Sequence, residues 1–216
     1  MNFVMAYSGG KDCTLALDRM LREGHNCVAL MVIVGIQGIY SYMHIFTRDI
    51  LEQFSESLGI PLIFAPSASK HDSKAVIEAL AKAKALYGAE AVCCGDIDFE
   101  ESRSWNESVA AEAGIKAVFP LWMEDRRRLI DEFLDCEYKC LFKTVNNSLL
   151  PEELLGKPFT RECIPLFEKS GVDICGENGE YHTVVVDGPI FNKPIDFRYD
   201  RLYRKGEYSS LICDVN

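Results

Sequence analysis

Two stretches of this 216-residue sequence carry side chains of the kinds that handle phosphate and protons. The first is Ser8-Gly9-Gly10-Lys11-Asp12, which follows an apolar run and leads directly into helix-forming residues. Its two glycines let the backbone approach an anion, and a helix amino terminus offers unpaired N–H groups and partial positive charge. Ser8 and Thr14 add hydroxyl donors, and Lys11 adds a point charge. That set suits a phosphate chain. Asp12 suits it only with a cation present, and Mg²⁺ held by a carboxylate and phosphate oxygens resolves the conflict. The second stretch is Gly176-Glu177-Asn178-Gly179-Glu180-Tyr181-His182-Thr183. Asn178-Gly179 is a turn signal entering a strand. A strand starting there places Glu180 and His182 on one face, Tyr181 and Thr183 on the other. A carboxylate beside an imidazole suits proton transfer. The bland readings are a tight turn with a solvated Lys-Asp pair and a hairpin with a solvated acidic face. A strand before and a helix after the first stretch favour the ligand site there.

Such residues need elements to position them, and the apolar pattern supplies these. Strand-like runs at 2–7, 27–34, 60–65, 90–95 and 116–121 alternate with helical patterns at 13–23, 48–58, 71–87 and 101–113. Helix-ending glycines precede buried-looking strands in "LGIPLIFAP" and "YGAEAVCCGD". Five such units predict an α/β fold, an open and mostly parallel five-stranded Rossmann-like sheet of the HUP type with helices on both faces. The alternation stops near "FPLWMEDRRRL". Beyond it come a helix over 124–134, an alternating strand over 136–145, a helix near 160–169 and strand-like runs at 181–187, 195–203 and 208–215. These predict a smaller α+β domain over 123–216, behind a parallel-sheet domain over 1–122. In a sheet of this kind ligands sit at the carboxyl ends of the strands. Ser8–Asp12 is at such an end, and so are Gly95 and Asp96 after the fourth strand. Asp96 either ligates Mg²⁺ or caps the turn that follows.

Composition narrows the classes. A net charge of −10 disfavours extensive contact with the phosphate backbone of DNA or RNA. "DRRRL" is the one dense basic spot, where Arg126 is a candidate phosphate contact and Arg127 and Arg128 read as a solvated helix face. No apolar run approaches the roughly 20 residues that span a bilayer, so a cytoplasmic protein without membrane contact is expected. The nine cysteines then read as free thiols. Cys136 and Cys140, four apart on the expected strand, would lie about 13 Å from each other, too far for a shared metal or a disulfide. His25 and His71 read as surface residues. A homodimer is left open.

The first stretch matches neither G-x-x-x-x-G-K-[ST] nor G-x-G-x-x-G. It resembles the S-G-G-x-D-[ST] pyrophosphate loop of the PP-loop, or N-type, ATP pyrophosphatases, with Cys13 where the pattern has a hydroxyl. "GENGEYHTVVVDGPIF" (176–191) resembles the carboxy-terminal signature of the diphthine–ammonia ligase family. "SYMH" (41–44), "SLGIPL" (57–62), "GD" (95–96), "PLWMEDR" (120–126) and "LLGKPF" (154–159) fall in that family's order. The family spacing S-x-M-x-H is one residue longer than Ser41-x-Met43-His44, so His44 is left unassigned. The resemblance implies a ligase that adenylates a carboxylate with ATP and Mg²⁺, then admits ammonia to give an amide, AMP and pyrophosphate. It implies ATP contacts from Ser8, Gly9, Gly10, Lys11, Asp12, Thr14 and Gly95, and metal ligation by Asp12 and Asp96. Catalysis would fall to Lys11, Asp12, Glu180 and His182, the last two holding ammonium and taking its proton. The implied acceptor is diphthine on translation elongation factor 2, or another carboxylate. For a quaternary ammonium, aromatic rings and carboxylates are the natural receptor. Glu177, Tyr181, Trp105 and Trp122 are candidates, with Asn178 and Thr183 beside them. Free ammonia is the expected donor. Two rivals remain: a thiolation enzyme using Cys93 or Cys94, and a nucleotide-binding module without turnover.

Overall fold

Phe3 and Met5 pack on one side of the first strand and Val4 on the other, all fully buried, as a central parallel strand requires. This is β1 (Asn2–Ala6) of the computed structural model, which describes residues 1–36, 40–41, 44–69, 72–199 and 201–212. With β2 (Asn26–Gly35), β3 (Leu62–Ser67), β4 (Ala91–Cys93) and β5 (Lys116–Val118) it forms one five-stranded sheet in the order β3-β2-β1-β4-β5. Every pairing in it is parallel. The crossovers run through α1 (Lys11–Arg22), α2 (Arg48–Leu58), α3 (Ser73–Tyr87) and α4 (Glu100–Glu112). Strand order reverses between β1 and β4, which is where a doubly wound sheet opens a crevice.

One apolar layer joins Val4, Met31 and Ile63 to Val76 and Leu80 of α3 and Val109 of α4. The opposite layer joins Phe3, Met5 and Leu30 to Leu17 of α1 and Phe54 of α2. Cys93 belongs to one layer and Cys94 to the other, so these neighbours face opposite ways. All eight cysteines among the described residues are free thiols.

The second half consists of α5 (Arg126–Asp135), β6 (Lys139–Asn146), short 3₁₀ turns at Glu152–Leu154 and Arg161–Cys163, α6 (Ile164–Ser170), β7 (Tyr181–Asp187), β8 (Arg201–Lys205) and β9 (Tyr208–Ile212). Its four strands form an antiparallel sheet in the order β7-β6-β9-β8. Phe142, Phe159, Phe167 and Tyr181 stack within it, the Phe167 and Tyr181 rings 5.1 Å apart. These aromatics are continuous with the Phe3 and Met5 layer, so the second sheet shares its core with the first.

Three expectations for this half fail for identifiable reasons. Cys136 caps the end of α5, and Glu137 takes φ 60°, so the strand begins only at Lys139 and does not carry both cysteines. A register shift between Phe142 and Thr144 breaks the alternation and buries Lys143, whose ammonium donates to the Leu211 carbonyl. Residues 195–199 do not extend a strand. The segment leading into them bonds to α2 instead, with Asn192 N–H donating to Ser57 O at 2.7 Å and Asp196 N–H to Gln53 Oε1 at 2.9 Å. Tyr42, Met43, His71 and residues 213–215 lie outside the described residues.

Candidate active site

The polypeptide leaves β1 at Tyr7, whose N–H still donates to Met31 O at 2.9 Å. Two residues on, Gly9 takes φ 79°, and a Cβ there would sit 2.9 Å from the Phe46 and Phe54 rings. Only glycine satisfies both conditions. Gly10 is the N-cap of α1 and has no side chain to cap with, which leaves the Asp12 and Cys13 N–H groups uncapped. The second half braces this loop. Val185 N–H donates to Gly9 O at 2.9 Å, and Lys11 N–H donates to Thr183 Oγ1 at 3.1 Å. From the other flank Gly95 presses in so closely that a Cβ would meet Cys13 N at 2.8 Å.

A cleft of about 370 Å³ lies over the loop, within the usual range for small-molecule sites. Ser8, Gly10, Lys11 and Asp12 line it from the first loop, and Gly95 and Asp96 from the end of β4. Glu177, Tyr181, His182 and Thr183 reach it from the second half. The two stretches that the sequence singles out therefore meet at one site.

Lys11 is only 3% exposed. Its ammonium donates to both Asp12 oxygens, at 2.8 and 3.0 Å, and to the Cys175 carbonyl, with the Tyr181 ring centroid 5.3 Å away. Burial pulls its pKa down, but Asp12, Tyr181 and Cys175 outweigh that and hold it above the ordinary value. The charge is thus fixed in the cleft floor. Asp12 keeps 30% of its side chain exposed. Asp96 accepts hydrogen bonds from Ser102 Oγ and, at 3.4 Å, from Asn106 Nδ2, while burial raises its pKa. Those bonds tie it to α4, and it lines the cleft as well. Glu177 is pushed up to about 7, first by burial and then by the negative charge of Asp12. A carboxyl poised there exchanges protons near neutrality.

No group of three His, Cys, Asp or Glu residues among those described could hold a metal by itself. Mg²⁺, however, takes one or two carboxylates and completes its shell with substrate phosphates and water. Asp12 and Asp96 on one cleft fit that mode.

Several predicted contacts fall elsewhere. Thr14 is fully buried and donates to Gly10 O at 2.8 Å, because its place on α1 faces the core. Cys13 lines the cleft instead, with Ser8 Oγ 3.2 Å from its sulfur. Gly9 shapes the turn and does not line the cleft. Glu180 and His182 do not come together on the cleft, which His182 lines and Glu180 does not. The Glu180 carboxylate accepts from Asp173 N–H at 3.1 Å, Asn178 N–H at 3.0 Å and Asn178 Nδ2 at 3.2 Å. Gly176 and Gly179, at φ 74° and 83°, curl the chain so that strand alternation starts only at Tyr181. Glu180 and Asn178 thus hold the 173–178 loop and stand outside the cleft. Tyr181 is core: its hydroxyl donates to Ile174 O at 2.5 Å and its ring supports Lys11. Trp122 lies under the Arg103 guanidinium, 4.7 Å away, and Trp105 donates to Ser73 Oγ at 3.0 Å. Neither lines the cleft. Arg126 clamps Asp98 and Asp173, each at 2.6 Å, and so ties the loop after β4 to the 173–178 loop.

His44 is the residue that sequence reasoning left unassigned. It lines the cleft, stacks on Phe46 at 5.4 Å and meets His182 edge-on at 5.2 Å. Its position after β2, at the same sheet end as Ser8, is the signal that could have found it.

Fold and cleft together define a doubly wound α/β protein with a cleft at the strand-order reversal, floored by the Ser8–Asp12 loop. The chain belongs to the diphthamide synthase family: the family's N-terminal domain matches residues 1–117 and its C-terminal domain residues 125–214. Among curated relatives, a diphthine–ammonia ligase of Bos taurus is 26% identical over 219 residues, spanning 90% of this chain and 82% of its own. One of Danio rerio is 27% identical, spanning 90% and 86%. One of Schizosaccharomyces pombe is 26% identical, but the match covers only 34% of that longer chain. A solved chain described as a predicted subunit of tRNA methyltransferase from Methanocaldococcus jannaschii aligns with 90% of this chain at 16% identity and a TM-score of 0.43, a loose likeness.

Proposed function

We propose that this chain is an ATP-dependent ligase that adenylates a carboxylate and transfers it to ammonia, yielding an amide, AMP and pyrophosphate. The names of its relatives suggest diphthine as the acceptor, and the resemblance noted in the sequence implies that elongation factor 2 carries it. The observation that carries the reading is the convergence of the Ser8–Asp12 loop with Glu177 and His182 on one cleft.

In this reading residues 1–122 hold ATP and residues 123–216 present the acceptor and ammonia. The open N–H groups of α1 and the fixed Lys11 charge face the β- and γ-phosphates, so charge developing on departing pyrophosphate meets donors already in place. The α-phosphorus is then the electrophile for a substrate carboxylate. Asp12 and Asp96 would hold Mg²⁺, which supplies neutralisation of the phosphate charge. Glu177, as a carboxylate, is the acceptor for a proton released as nitrogen attacks, and its charge suits a quaternary ammonium. The cytoplasm is the proposed location, and no helix among the described residues is long and apolar enough to cross a membrane.

The test is product analysis. With ATP, magnesium, ammonium and a diphthine-bearing acceptor, AMP and pyrophosphate should appear in amounts equal to the amide, with no need for glutamine. Lys11→Ala should weaken ATP binding by about tenfold or more in calorimetry, the size expected for hydrogen bonds to a charged group. ADP as the dominant acceptor-dependent product would overturn the assignment. Dependence on a sulfur donor would favour the thiolation reading.

A further inference from the structure

The mechanism above leaves one buried group on the cleft wall unused. His44 is 6% exposed, and its Nδ1 is buried with no hydrogen-bond partner among the described residues. A buried polar atom without a partner carries a desolvation penalty of about 1–3 kcal/mol unless something binds it. The other side of the ring meets the Thr183 backbone, a contact that favours a proton there. A neutral imidazole carries one N–H, so Nδ1 then offers a lone pair and seeks a donor. Burial first, and then His182, Lys143 and Lys11, push the His44 pKa well below its ordinary value, so the ring stays neutral at pH 7.

Those neighbours restrict what the donor can be. A phosphate oxygen brings no hydrogen to a lone pair. A cation is opposed by the ammonium groups of Lys11 and Lys143. A small neutral molecule with N–H or O–H bonds meets neither objection. Gly10 lies beside the ring, where a Cβ would come into ordinary contact, 3.4 Å from His44 Cε1. His182 stands beside the ring at 5.2 Å, on a strand whose next residue, Thr183, also lines the cleft.

We propose that His44 and His182 form the seat of the ammonia nucleophile, one N–H of ammonia donating to His44 Nδ1. This rests on the ligase reading and replaces the Glu180–His182 pair expected from sequence. Ammonium arriving from solvent leaves one proton with water, since the site opposes a second positive charge. The neutral molecule then keeps its own lone pair for attack.

Nitrogen NMR of the ¹⁵N-labelled full chain tests the seat without any acceptor. Unlabelled ammonium chloride should move the His44 Nδ1 resonance saturably, and more strongly as pH rises and the ammonia fraction grows. Potassium chloride at equal ionic strength, or inorganic phosphate, should not. An equal response to potassium, a response to phosphate alone, or none to ammonium overturns the proposal. In turnover assays His44→Phe should raise KM for ammonium about tenfold, the effect of about 1.4 kcal/mol, while leaving KM for ATP unchanged. His44→Asn, whose Oδ1 falls near the place of Nδ1, should restore most of the affinity. An unchanged KM for ammonium in His44→Phe refutes the seat even if AMP is formed. If wild type forms no AMP, the ligase reading fails while the NMR result still decides the seat. If His44→Phe does not fold, the wild-type titration decides alone.

Discussion

Replacing Glu177 with glutamine should make the ligand-free protein more stable, and by an amount that depends on pH. In the folded chain its carboxyl titrates near 7, against an ordinary 4.5, because burial and then Asp12 disfavour the charged form. A folded pKa above the unfolded one means the folded state binds more protons between those values. Stability of the wild type therefore falls as pH rises from about 4.5 to about 7, and the penalty is complete above that. At roughly 1.4 kcal/mol per pH unit the ceiling is about 3 kcal/mol. Solvent at the cleft mouth lowers this, and about 2 kcal/mol is the working expectation. Glutamine has the same shape and no charge to desolvate. Urea denaturation at pH 5, 6, 7 and 8 should show the two proteins nearly equal at pH 5, with the variant ahead by about 2 kcal/mol at pH 8. Parallel stability curves, or a gap that widens toward low pH, would refute the placement of Glu177 beside Asp12. The consequence for function is that this carboxylate is retained at a cost to the fold, as groups poised for proton transfer often are.

Gly9→Ala combines a left-handed backbone with contact against two fixed rings at 2.9 Å, and should cost about 2–4 kcal/mol in urea denaturation. A loss below about 1 kcal/mol would mean that the loop relaxes more readily than its packing indicates. Glu180→Ala strips the 173–178 loop of its acceptor and should cost about 2–4 kcal/mol and open that loop to proteolysis, while ATP affinity changes little. Wild-type stability together with lost amide formation would return Glu180 to the chemistry.

Residues 2–118 are legible because parallel strands buried on both faces read as unbroken apolar runs, and glycines at φ 67° and 66° end α2 and α3 at Gly59 and Gly88. The location of the site is legible for the same reason: the Ser8 loop sits at a strand end, where such sheets bind ligands. Its chemistry is less so. Period-two reasoning pairs Glu180 with His182, but alternation applies only inside a strand, and Glu180 lies one residue before one. Lys143 escapes the pattern through a bulge, which leaves no mark in residue types. Thr14 and Cys13 differ by one helical step, about 100° around α1, and that step decides which faces the cleft. His44 was hidden for another reason, since its importance comes from a ring 138 residues away in the chain.

The bracing of the loop has a consequence for how the protein is made. Gly9 O, Lys11 N–H and the Lys11 ammonium take partners from Val185, Thr183 and Cys175, the last two 172 and 164 positions further along. On the ribosome the first five strands emerge early and contain all the pairings of their own sheet. The Ser8–Asp12 loop emerges with them but lacks its partners from the second half until β7 follows. A nascent chain therefore carries a sheet with an unfinished site from the emergence of β5 until that of β7. A fragment ending near residue 122 would remain in that condition, having the residues of the loop without the strand that sets their geometry.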